Sequence, residues 1–116
     1  MTAINLDRKL ASFDETWAPR TVARYNDNDV MVVKVAGEFT WHSHAETDDF
    51  FLVLSGEIDI EMRDRVVTLR PGELFVVPKG VEHRPVAREA AELLLIEPRG
   101  TANTGRADTA APRREI

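Results

Sequence analysis

The chain of 116 residues contains no cysteine. Disulfides and thiolate metal ligands are thereby excluded, so any metal must be held by imidazole and carboxylate groups. Histidine is scarce too, with three in the whole chain, and the places where they fall carry weight accordingly. No apolar run approaches the roughly 18 residues that a membrane span needs, and the opening MTAINLDRKLASF lacks the apolar core of a signal peptide. A cytoplasmic protein with no membrane partner is expected. Basic charge is in short supply: fifteen Lys and Arg against twenty Asp and Glu leave −5, the wrong sign for a phosphate backbone. No nucleic-acid partner is expected, and no helix-turn-helix segment is attached. A Gly-rich phosphate loop is missing as well, since PKG and SGE read as turns. Serine nucleophile chemistry has little support. Ser43 lies between two histidines but points to the other face, and Ser12 and Ser55 have no paired base nearby.

What is present suits one compact domain with one core, given 43% hydrophobic residues in a chain of this length. Leu6, Leu10, Phe13 and Trp17 recur at near-helical spacing behind a potential cap, Asn5, which predicts a short amphipathic helix near residues 6–12. After Pro19 the texture changes to short β-rich runs: RTVARY, VMVVKVAG, FFLVLSG, EIDIEMR, VVTLR, LFVVP, HRPVA and ELLLIE. Turn signals separate most of them, among them Ser55-Gly56, Pro71-Gly72 and Pro78-Lys79-Gly80. Short strands joined by tight turns predict an all-β sandwich or barrel. In EIDIEMR the residues Ile58, Ile60 and Met62 face the core while Glu57, Asp59, Glu61 and Arg63 face water. FFLVL is apolar on both faces, so its strand should be central, with one face on a cavity and the other under a second sheet or a partner subunit. The expected organisation is a helical extension over 1–19, a barrel over 20–100, and a mobile tail over 101–116, which has almost no large apolar residue.

His42 and His44 are two apart, so in a strand both imidazoles leave one face and can converge on one ion. Asp49 follows at an odd offset. The intervening Ala45 to Asp48 must turn the chain for Asp49 to join the histidines, after which Asp49, Phe51 and Val53 share the inward face. That arrangement is a carboxylate at a rim with an apolar pocket wall of Phe51 and Val53 beneath it. The third histidine lies in PGELFVVPKGVEH, where a Pro-Lys-Gly turn delivers His83 to the next strand.

The spacing of His42, His44, Asp49 and Gly56 resembles the first motif of the cupin superfamily, and that of Gly72, Pro78, Gly80 and His83 resembles the second. The resemblance spans Gly37 to Ala87 and extends to small cupins labelled mannose-6-phosphate isomerase-like. It implies an RmlC-like double-stranded β-helix, a jelly-roll barrel, with the short helix at its N-terminus. It also implies that His42, His44, Asp49 and His83 hold one divalent metal ion, for which iron, manganese, nickel, copper and zinc all suit the donors. The first motif more commonly has Glu where this chain has Asp49. Glu46, Asp48 or a water are alternatives for that position. Two functional classes follow. One is a metal-dependent enzyme acting on a small oxygenated metabolite, a dioxygenase with iron or an isomerase, lyase or decarboxylase with another ion, with Glu46 or Asp48 as general base. The other is a non-catalytic module that binds a small molecule or a metal. Pairing through the FFLVL strand predicts a homodimer. Lys79 and Arg84 flank His83 and either meet an anionic ligand or stay solvated, while Trp41 is expected in packing or at a subunit contact.

Overall fold

The computed structural model describes residues 2–116. The chain forms a helix α1 (Leu6–Leu10) and strands β1 (Arg20–Tyr25), β2 (Asn28–Glu38), β3 (Asp49–Ser55), β4 (Ile58–Met62), β5 (Val66–Leu69), β6 (Leu74–Val77), β7 (His83–Pro98) and β8 (Arg114–Glu115). The fold is thus all-β with one short N-terminal helix. Among the described residues no helix is long and apolar enough to cross a membrane.

Asn5 caps α1 through its side chain, which accepts a hydrogen bond from the Arg8 amide at 3.0 Å. Leu6, Leu10 and Phe13 then pack on Val22, Val30, Val32 and Leu54, closing part of the barrel's outer surface. Trp17 departs from this stripe. The helix has ended seven residues earlier, and Trp17 sits in the left-handed backbone region with φ 58°. Its amide donates to Lys34 O at 2.8 Å and its indole to Ala36 O at 2.9 Å, which turns the ring into the barrel and away from the helix face.

β7 organises the barrel. Its first residues pair with β4, Met62 opposite His83 and Asp59 opposite Val86, and its later residues pair with β3, Leu52 opposite Leu94. Along its other edge it pairs with β2 from Glu38–Val86 to Asn28–Pro98. HRPVA and ELLLIE, two runs in the sequence, are therefore one strand of 16 residues. No glycine or proline interrupts Arg88–Ala90, and these exposed residues carry the strand across from one side of the barrel to the other. β3 lies between β6 and β7 and is central as expected.

Inward-facing Met31, Val33, Val35, Phe51, Val53, Ile58, Ile60, Leu93 and Leu95 form the main core. Asp59 is a correction to the alternation. It is buried, since Thr68 donates to it at 2.6 Å and Arg88 pairs with it at 2.7 Å, and so it does not face water freely. Residues 101–116 run back to the barrel. There β8 pairs in parallel with β1, and the Asn103 amide donates to Trp17 O at 3.5 Å.

Candidate metal centre

His42 and His83 face each other across an isolated antiparallel bridge: the His42 amide donates to His83 O at 3.0 Å and the His83 amide to His42 O at 2.9 Å. This pairing puts their side chains side by side, with ring centroids 4.3 Å apart. His44 lies beyond the bridge in irregular backbone, tied to the Pro78–Gly80 turn by the Gly80 amide, which donates to His44 O at 2.8 Å. Residues 45–47 bend, and β3 resumes at Asp49 with its side chain inward. The odd offset is absorbed by that bend, as the sequence requires.

The result is a cluster in which one donor atom from each of His42, His44, Asp49 and His83 lies within 4.8 Å of every other. All four side chains are buried. Asp49 Oδ2 is 2.8 Å from His83 Nε2, 3.1 Å from His44 Nε2 and 3.9 Å from His42 Nε2. Two rings have a fixed tautomer when neutral. His42 Nδ1 lies 2.8 Å from Thr40 O and His83 Nδ1 lies 3.0 Å from Val81 O, and a carbonyl only accepts, so Nδ1 carries the proton in each. Each Nε2 then aims a lone pair at the cluster centre. His44 Nε2 is buried with no hydrogen-bond partner, since its approach to Asp49 is off the line of a bond. Three imidazole nitrogens and a carboxylate oxygen converging in this way could hold a metal ion, and a divalent first-row ion fits this donor set.

The electrostatics differ from group to group. Burial pushes the His42 imidazole down to about 4, so its neutral, metal-binding form prevails near neutral pH. Burial raises the Asp49 carboxyl, but His44 and His83 against it outweigh burial and bring it down to about 2. Burial likewise lowers His44, and Asp49 more than reverses this, raising it.

A cavity opens beside the cluster, with about 40 Å³ of free space in this conformation. Trp17, Phe39 and Phe51 form its aromatic wall, with Trp17 stacked on Phe39 at 4.8 Å and Phe39 edge-on to His42 at 5.3 Å. Its polar lining is His42, Asp49, Glu97 and Asn103. Val53 lies deeper, fully buried in the core, and does not reach the cavity surface. Glu46 is exposed, lining a separate hollow with His44. The Asp48 side chain accepts from the Lys79 amide at 2.9 Å, which stabilises the turn that carries His83. Neither acid lines the aromatic cavity. Arg84 points away and pairs with Glu61 at 2.6 Å and Glu38 at 3.2 Å, and Trp41 lies under Arg63 and Arg84 outside the cavity.

Glu97, Asn103 and Arg113 were not indicated by the sequence. Glu97 ends the inward row of β7 opposite Asp29 of β2, and both are 4% exposed. Arg113 bridges these facing carboxylates, 3.1 Å from Glu97 and 2.9 Å from Asp29. Burial and the nearby Asp49 carboxylate push Glu97 up to about 8. A signal was available in the inward period of Leu93, Leu95 and Glu97, which places a carboxylate where the pattern calls for an apolar residue.

Comparison with known proteins agrees with this architecture. The model of the cupin domain family matches residues 29–97. The uncharacterized protein YdbB of Bacillus subtilis (strain 168) is 31% identical over 94 residues, 72% of this chain and 83% of that protein. A cupin-2 domain containing protein from Shewanella frigidimarina NCIMB 400 superposes with a TM-score of 0.82 at 48% identity, over 83% of this chain and 94% of that one. Protein NMB1881 from Neisseria meningitidis follows at 0.76 and 35% identity, over 84% of this chain and 99% of that one. With its strand order, its barrel and a family match that covers more than half its length, this chain belongs to the cupin family.

Proposed function

We propose that the protein is a metal-dependent cupin that acts on a small oxygenated molecule at an ion held by His42, His44, Asp49 and His83. The observation that carries this reading is the convergence of three imidazole nitrogens on one buried carboxylate oxygen, with the His44 nitrogen lacking any other partner. A bound divalent ion supplies Lewis-acid chemistry, or redox chemistry if it is iron. Thr40 and Val81 carbonyls hold the rings of His42 and His83 with Nε2 inward, the aromatic wall excludes bulk water, and Glu97 offers a carboxyl beside the site. Glu97 is therefore better placed than Glu46 or Asp48 to hold a proton near a ligand in the cavity. Chains of the same fold include hydroquinone 1,2-dioxygenases, which supports an enzyme of the oxygenase type.

A second reading, a module that binds a metal or small molecule without turnover, is favoured by one observation: the free space of about 40 Å³ admits a few waters and no larger substrate unless a wall moves. Elemental analysis of untagged protein, beside His42→Ala and His83→Ala, tests the site. About one first-row ion per chain in the wild type and none in the variants is the expected result. A wild type that takes no ion even after reconstitution refutes the proposal.

The chain is further proposed to form a homodimer through the outer face of β3, β6 and β7. Leu74 and Val76 are 55% and 40% exposed there, in register with half-buried Leu52 and Phe50. Sedimentation equilibrium returning only the 13.1 kDa species would dispose of that dimer.

A further inference from the structure

We infer that Glu97 is a specificity residue: it selects a largely apolar molecule bearing a hydroxyl group over one that lacks it. This rests on reading the cavity as a ligand site beside a metal centre.

The geometry leads there in three steps. The polar lining of the cavity is His42, Asp49, Glu97 and Asn103, and the first two belong to the metal cluster, so Glu97 and Asn103 are the polar side chains left to meet a ligand. Second, the Glu97 side chain is fixed. Arg113 takes its Oε2 at 3.1 Å and anchors on Asp29 at 2.9 Å, so the carboxyl is held at the cavity surface. A buried polar group fixed in this way discriminates strongly, because a ligand that lacks a hydroxyl leaves it unpaired. Third, the remaining surface is apolar, with aliphatic Val33, Leu93 and Leu95 beside the rings of Trp17, Phe39 and Phe51. Trp17 and Phe39 are stacked with 24° between their planes, a wall suited to a planar ring.

A ring does not fit in the present free space, so one wall has to give way. Trp17 borders that space: it is partly exposed, anchored to β2 through its amide and indole, and its carbonyl takes only a long 3.5 Å bond from Asn103. A ligand entering beside it must change the indole's surroundings. The chain has two tryptophans, so Trp41→Phe leaves Trp17 as the single reporter.

The test uses that background, loaded with the ion it binds, and titrates phenol and toluene while following Trp17 fluorescence, with metal content measured on the same samples. Phenol is expected to bind at least about tenfold tighter than toluene, a difference of about 1.4 kcal/mol. Glu97→Met should abolish the preference for phenol over toluene with the metal content unchanged, and Glu97→Gln, which keeps a hydrogen-bonding amide, should retain most of it. Toluene binding as tightly as phenol to the protein with Glu97 intact overturns the inference, a result that holds even if Glu97→Met does not fold. A preference that survives in Glu97→Met overturns it equally. Protein that takes no ion yet still prefers phenol supports the selectivity while refuting the metal reading. Protein that takes the ion but does not discriminate refutes the selectivity alone.

Discussion

Replacing Arg113 with alanine should be among the most damaging single changes outside the core. Asp29 and Glu97 face each other across the β2–β7 ladder, each 4% exposed, and the Arg113 guanidinium sits between them. Burial and Asp49 hold Glu97 up at about 8, so near neutral pH the buried carboxylate that Arg113 chiefly compensates is Asp29, and a buried ion pair that loses one partner costs about 3–5 kcal/mol. The lower end applies here, because Arg24 remains 3.1 Å from Asp29 and keeps part of that carboxylate's compensation. A loss of about 3 kcal/mol corresponds to a fall in Tm of roughly 10 °C or more for a domain of this size. The control is Arg106→Ala in the same C-terminal segment. Its partner is Asp108, both side chains are more than half exposed, and the change should stay within about 0.5 kcal/mol. The assay is reversible thermal or urea unfolding of both variants. The sign of the pH effect is also fixed: Arg113 lowers both carboxyls, so without it both take up protons more readily and the deficit should shrink as pH falls, the Glu97 share above about 8 and the Asp29 share at acid pH. An Arg113→Ala protein within 1 kcal/mol of Arg106→Ala, or a deficit that grows toward acid, would refute the reasoning.

Other outcomes follow from particular residues. Gly56 and Gly72 both have φ above 80° or close to it, but a Cβ at Gly56 would meet Ala91 Cβ at 2.8 Å and Ala90 O at 2.9 Å, whereas at Gly72 it would meet nothing within 4 Å. Gly56→Ala should therefore destabilise by at least about 1 kcal/mol more than Gly72→Ala in urea unfolding. The His42 imidazole is held down at about 4 against an ordinary 6.5, so the unfolded chain binds the extra proton between those values. Its contribution is present above 6.5 and lost as pH falls to 4, about 3 kcal/mol in metal-free protein. The stability gap between wild type and His42→Asn, followed from pH 7 to pH 4, should move by that amount against the wild type. Leu93→Ala, in the core and 1% exposed, should cost about 2–5 kcal/mol by chemical denaturation.

The barrel was legible because its signals are local. Alternating apolar residues mark β4, turn pairs mark the hairpins, and the three histidines with Asp49 fall on spacings that match where the structure brings them together. What the sequence hid is long-range. Trp17 looked like one more residue on a helical stripe, but hydrogen bonds to Lys34 and Ala36, in a strand that periodicity alone cannot pair with it, turn it into the cavity. Asp59 looked like a solvated residue in an alternating strand, and its burial depends on Arg88, 29 positions away. Glu97 and Arg113 acquire meaning only together with Asp29, since a charge cluster assembled from three distant segments leaves no spacing to read.

The course of β7 has a consequence for how the protein is made. This strand supplies partners to β2, β3 and β4, and its pairing with β2 joins residue 98 to residue 28. A ribosome delivers the chain from its N-terminus, so the β1–β2 and β4–β5 hairpins can form early while neither side of the barrel can close until the strand at 83–98 has emerged. Until then β2 and β3 show their apolar faces to the cell. An ion held at the proposed centre would be subject to the same delay: His42, His44 and Asp49 are synthesised together, but the residue that completes the set is the first of the closing strand, so the four-residue site cannot be complete before the barrel begins to close.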